Sequence, residues 1–158
     1  MATLTSPNAT YVSTGTAATP AWTLTPAQNA LTLAGRVLIA LLFVPAGWGK
    51  LMGFSGVVGY ISSKGVPMAE VCAAIAIAAE LGLGLALLLG FQTRWAALGL
   101  ALFTIVITPI FHNYWASPEA QIAMQKMNFF KNCAIAGGLM AFAAFGGGAF
   151  SVDRRKRI

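Results

Sequence analysis

Lys50, Glu80, His112 and Lys131, with the amides Asn113 and Asn132, stand inside or at the ends of long apolar runs. A charged side chain at membrane depth is costly. It therefore turns toward protein or a water-filled cavity, where it marks a ligand or proton site. Two ammonium groups, an imidazole and two amides are rich in N–H donors, which suits an anionic or acceptor-rich partner. A quinone head, a sulfur oxyanion and a lipid phosphate all fit that description. Glu80 is the single mid-span carboxylate. It can pair with Lys50 or Arg36, bind a ligand or handle a proton, or stay neutral. The plainer alternative for Lys50 and Lys131 is snorkelling, with the stem in apolar surroundings and the ammonium among headgroups.

The elements that must hold these groups are membrane helices. Hydrophobic residues make up 58% of the 158 and charged ones 9%, the reverse of a solvated surface, so the chain reads as a single integral membrane domain. Mean hydropathy is +0.74 and the isoelectric point near 9.8. Apart from residues 154–157 the basic residues are scattered, which argues against nucleic acid as a partner; the bilayer is the partner that composition implies. Cys72 and Cys133 form no CxxC or ligand-spaced cluster, and a lone histidine cannot supply a bis-histidine haem, so no metal, haem, iron–sulfur or flavin motif is legible.

Residues 1–29 form a polar Thr/Ala/Pro-rich tail, residues 30–150 the four-span domain, and residues 151–158 a basic cytoplasmic tail. Thr25-Pro26-Ala27-Gln28 has the pattern of a capping box with proline at the first helical position, so the first helix starts there. On it Arg36, Ala40, Phe43, Gly47, Lys50 and Phe54 share one face, with the two charges roughly 21 Å apart along the axis. Phe54, Val57, Val58 and Ile61 predict a short helix lying on the bilayer surface. A second span follows over 68–90. Ala74, Ala78, Gly82, Ala86 and Gly90 form a ladder of small residues on it, and Ala76, Glu80 and Gly84 a second strip. A third span runs from 95 to 112 or 115. It carries a polar ridge of Thr104, Thr108 and His112, which reads more simply as helix-to-helix hydrogen bonding than as a conduit, and Pro109 is expected to kink it. The fourth occupies 129–145, with Gly137, Gly138 and Ala141 expected to line its interior. The fold class is thus all-α: an integral membrane four-helix bundle with short interfacial helices in the outward loops.

Helix rise places Lys50, His112 and Lys131 roughly 22–26 Å above the cytoplasmic boundary, Glu80 about 15 Å and Arg36 about 5 Å. Asn113 and Asn132 share the outer layer. Arg36, Arg94, Thr104 and Thr108 are expected to act structurally, and Phe43, Phe103, Phe111 and Phe129 to wall the site or to pack as ordinary core. Both termini fall on the side richer in arginine, hence cytoplasmic. Cys72 and Cys133 come at similar depth, where a thiol pair is conceivable, but on diagonal helices beyond the reach of a disulfide they read more simply as two small buried residues.

Four separated segments agree in order with a known family. GRVLIALLFVPAGWGKLMGF, AAELGLGLALLLGFQTRWAAL, FHNYW and NFFKNCAIAGG together resemble the DoxX family of small bacterial four-helix membrane proteins, over residues 30–153. Family positions map onto Arg36, Gly47, Lys50, Glu80, Gly90, Arg94, His112, Lys131 and Asn132. The resemblance implies association with oxidoreductase systems, since related DoxD-type subunits belong to thiosulfate–quinone oxidoreductases and other members to membrane oxidative-stress complexes. It points to a multi-pass protein of the bacterial inner membrane, a membrane subunit of a quinone-linked redox system. Quinone would be the ligand, and other membrane or periplasmic redox subunits, or further copies of the chain, the partners. The chain does not read as an autonomous enzyme. Two other classes remain open: a non-catalytic anchoring or assembly subunit, and a small-anion or proton-coupled transporter.

Overall fold

The computed structural model describes residues 24–155, and these are helical with no strand among them. Most of the polar N-terminal tail, and positions 156–158 of the basic run, lie outside the described residues. Helix α1 spans Pro26–Met52. Its start follows from the capping box: Gln28 N–H donates to Thr25 Oγ1 at 3.2 Å, and Thr25 N–H donates back to Gln28 Oε1 at 2.8 Å. Gly53 breaks α1, and α2 (Phe54–Ser63) begins at once. Phe54 consequently leaves the α1 face assigned to it and is 39% exposed. Arg36, Ala40, Phe43 and Gly47 are buried on that face, as the 4-3-4 spacing predicts.

Next comes a continuous rod: α3 (Ala69–Ile77), a π-helical stretch (Ala78–Leu83) and α4 (Gly84–Leu89). A π-turn adds one residue to an α-helical turn and is common at functional sites. Here it carries Glu80. The rod ends at Gly90, whose φ of +70° suits glycine; Phe91 N–H reaches back to the Ala86 carbonyl and Gly90 N–H to that of Leu87, a Schellman stop. Helix α5 (Thr93–Phe111) then returns, a 3-10 turn (Tyr114–Ala116) reverses the chain, and α6 (Glu119–Phe145) packs along the length of α5. Among the described residues three segments are long and apolar enough to cross a membrane: Pro26–Met52, Ala69–Leu89 and Thr93–Ala116.

Residues 149–153 tie together the end of these helices near Gly90 and Thr93. Asn29 Oδ1 accepts from Ala149 N–H at 2.6 Å, and the fully buried Arg36 donates to the carbonyls of Leu87, Leu88 and Phe150. Asp153, on the short helix α7 (Val152–Arg155), accepts from Gln92 N–H, Thr93 N–H and Thr93 Oγ1 at 2.7–2.8 Å. It thereby satisfies donors that the first turn of α5 leaves open. Directly above lies the apolar core of Phe43, Leu87, Ala96, Ala97, Leu100, Ala101 and Leu139.

Of the small-residue ladder, Ala74, Ala78 and Gly82 are exposed, Ala86 is half-buried and Gly90 buried, whereas the strip Ala76, Glu80 and Gly84 is buried throughout. The two strips lie on opposite sides of the helix, and the one carrying the carboxylate turns inward because a charge facing lipid costs more than an exposed alanine. One small-residue expectation is corrected: Gly137, Gly138 and Ala141 are exposed instead of interior. Close approach occurs at other glycines. A Cβ on Gly47 would stand 2.7 Å from the Leu81 backbone nitrogen, and one on Gly99 2.8 Å from Leu83.

Candidate functional site

Gly47 brings α1 against the π stretch, and one helical turn further out Lys50 meets Glu80. Lys50 Nζ donates to Glu80 Oε2 at 2.5 Å; the two side chains are 31% and 6% exposed. Of the fates open to Glu80, pairing with Lys50 is the one adopted. Arg36 is engaged at the other end of α1, although its Nε finds no partner among the described residues.

The pair forms part of the wall of a cavity of about 430 Å³ between α1, α2, α3, α5 and α6. The rest of the lining is mostly apolar, with Phe43, Phe103 and Phe111 among the walls. Thr104, His112 and Asn132 add polar atoms. These are held in place: Asn132 Nδ2 donates to Thr108 Oγ1 at 3.1 Å, Thr108 and Thr104 bond back to the carbonyls of Thr104 and Leu100, and His112 Nδ1 meets Gln125 Oε1 at 2.9 Å. Thr108 thus joins α5 to α6 through Asn132, and His112 does so through Gln125, whereas Thr104 bonds only within α5. Helix α2 covers the side away from the Gly90 turn with Val57, Tyr60 and Ile61, and Tyr60 stacks on Phe111 at 5.5 Å between centroids.

Lys50, Glu80, His112 and Asn132 are therefore brought to one cavity, and two of the expected group are not. Lys131 is exposed and donates to Asn128 Oδ1 at 2.9 Å on its own helix. The periodicity of α6 explains this: Asn132 faces α5, and its neighbour points about 100° away. Asn113 precedes the 3-10 turn, where its carbonyl accepts from Ser117 Oγ at 3.1 Å, and it does not line the cavity. Phe129 belongs instead to an aromatic cluster with Tyr114, Trp115 and Phe130. Arg94 is exposed at the start of α5. Cys72 and Cys133 are free thiols, and instead of being buried Cys72 is half-buried and Cys133 exposed, on the outer face of α6. Among the described residues no cluster of His, Cys, Asp and Glu could hold a metal.

The loss of Lys131 changes the electrostatics. A layer with two ammonium groups over one carboxylate favours an anion, whereas one ammonium balanced by one carboxylate favours a neutral hydrogen-bonding partner. Sequence reading missed Asn29, Asp153, Tyr60 and Gln125. Asp153 did leave a signal, as the sole acid in front of a basic run.

The DoxX family model matches residues 31–113, which hold the Lys50–Glu80 pair and His112. Inner membrane protein YphA of Escherichia coli is 37% identical over 129 residues, covering 82% of this chain and 92% of that protein. Inner membrane protein YqjF of the same organism is 39% identical over 122 residues, covering 77% and 88%. ER-derived vesicles protein ERV29 of Saccharomyces cerevisiae is 29% identical over 132 residues, covering 84% of this chain and 36% of that protein. No solved structure matches. With the family match over more than half its length and two relatives covered almost end to end, this chain is a membrane protein of the DoxX family.

Proposed function

We propose that the protein is a four-span bacterial inner-membrane protein, the membrane subunit of a quinone-linked redox system, and that its cavity holds a quinone-type head group beside Lys50 and Glu80. The observation that carries this reading is the ion pair in the wall of a mostly apolar cavity of about 430 Å³, within the roughly 300–1,000 Å³ typical of ligand sites. Lys50 supplies a donor to a carbonyl oxygen, and Glu80 an acceptor for the hydroxyl of the reduced form. Electrons would come from a partner subunit. The inner-membrane location is supported by the names of the two bacterial relatives. Packing of α6 along α5 supports the fourth span. Cytoplasmic termini are supported by the even span number and the arginines of 154–157.

The test is binding of a short-chain benzoquinone to the purified protein. Lys50→Met is expected to weaken it by about tenfold or more, the loss of one charge-assisted hydrogen bond. Lys131→Ala is expected to leave it unchanged. Equal affinity of wild type and Lys50→Met would remove the pair from the reading. A second reading, the anchoring subunit, is favoured by the outward-facing Ala74, Ala78, Gly82, Gly137 and Gly138, which suit close contact with another membrane helix. A stable stoichiometric complex that survives Lys50→Met/Glu80→Met would support it.

A further inference from the structure

The cavity reaches the side of the helix assembly. Ile75 on α3 and Val106 and Ile110 on α5 all line it, yet they are 58%, 60% and 37% exposed. Leu42 on α1 and Tyr60 on α2 also line it and are 44% and 51% exposed, but each is alone on its helix, whereas α3 and α5 together contribute three such side chains, and these mark its mouth. The position of that mouth follows from the packing. Helices α4 and α5 are joined by the Gly90 turn, and Gly99 lies against Leu83, so the rod and α5 are in close contact toward that turn. Beyond Glu80 the cavity lies between them. Both flanking segments, Ala69–Leu89 and Thr93–Ala116, are apolar enough to cross a membrane, so the mouth faces acyl chains. On the side away from the Gly90 turn α2 covers the cavity, with Tyr60 stacked on Phe111.

We infer that the ligand enters sideways from the bilayer between α3 and α5. It is an amphiphile whose uncharged head sits at Lys50 and Glu80, with its apolar tail leaving between Ile75 and Val106. This rests on the head-group reading above and extends it to the ligand's charge, tail and route. Because Lys50 and Glu80 balance each other and Lys131 points elsewhere, an anionic head would bring an uncompensated charge into apolar surroundings. The cavity has the size of a head group and the beginning of a chain, so a long tail has to lie outside it.

The experiment compares two probes on the protein in nanodiscs, a decyl-tailed benzoquinone and the same ring without a tail, with decyl sulfonate as an anionic competitor. Val106→Trp and Ile75→Trp place bulk on the two lips at exposed positions, so folding is little disturbed. Each is expected to slow association of the tailed probe by about tenfold while the tail-less ring changes by less than about twofold. Leu102→Trp, exposed on α5 but away from the cavity, is expected to change neither. Unaltered association of the tailed probe in both lip variants would overturn the sideways route while leaving the head-group reading intact. Equal slowing of both probes would also overturn it, since the substitutions would then have closed the site itself. Displacement of the tailed quinone by decyl sulfonate at lower concentration than by decyl alcohol would overturn the uncharged head. Failure of wild type to bind either quinone would end the head-group reading and this inference together.

Discussion

Lys50 and Glu80 lie 30 residues apart in sequence and 2.5 Å apart in space, and each depends on the other. Removing one member of a buried pair strands the remaining charge and costs roughly 3–5 kcal/mol. Lys50 keeps 31% of its side-chain exposure, so Glu80→Ala is expected near the lower end of that range. Replacing both with methionine removes the stranded charge, so Lys50→Met/Glu80→Met should be more stable than Glu80→Ala while binding no quinone. Thermal unfolding in detergent checks the order, and a double variant less stable than Glu80→Ala would contradict it. Lys131 shows the opposite case. Helix rise alone assigns it the depth of Lys50, but rotation about the α6 axis sends it outward to Asn128.

Among the elements, the π stretch Ala78–Leu83 decides how α1 meets the rod. Gly47 permits the contact, because a Cβ there would stand 2.7 Å from a backbone nitrogen that cannot yield as a side chain would. Gly47→Val is expected to push α1 away, to cost about 1–3 kcal/mol as overpacking usually does, and to separate Lys50 from Glu80. Gly137 has open space around it, so Gly137→Ala should be neutral or stabilising by up to about 1 kcal/mol, the helix-propensity difference. Comparing the two by thermal unfolding distinguishes a packing glycine from a merely permitted one. Equal effects would contradict the assignment.

Across the molecule, the described helices are tied at one end and hold a cavity toward the other. The tie consists of Asn29, Arg36, Gly90, Thr93 and the segment around Asp153. Asp153→Ala removes the acceptor at the start of α5 and is expected to cost about 0.5–2 kcal/mol, as loss of a helix cap does. Deleting residues 149–158 should cost more, since it also strips partners from Asn29 and Arg36. Hydrogen exchange provides the spatial check. Amides near Gly90 and Thr93 should lose protection in the deletion variant while those of α2 do not, and uniform loss over the whole chain would argue against a local tie.

The sequence by itself determined what period and composition control. Long apolar runs interrupted by a few charges specify membrane helices, Thr25 to Gln28 specify where the first one starts, and 4-3-4 spacing specifies that Arg36, Phe43 and Gly47 turn inward. Only the tertiary structure decided which polar groups meet. Helix rise fixes depth from sequence, but rotation about each axis and the extra residue of a π-turn depend on the neighbours a helix packs against. Depth alone grouped Lys131 with Lys50; rotation separated them and left Glu80 as the partner, which favours the neutral, acceptor-rich member of the expected ligands over the anionic ones. The same limit hid Asn29 and Asp153, whose partners lie about 120 and 60 residues away in sequence and become visible only once the chain has folded back on itself.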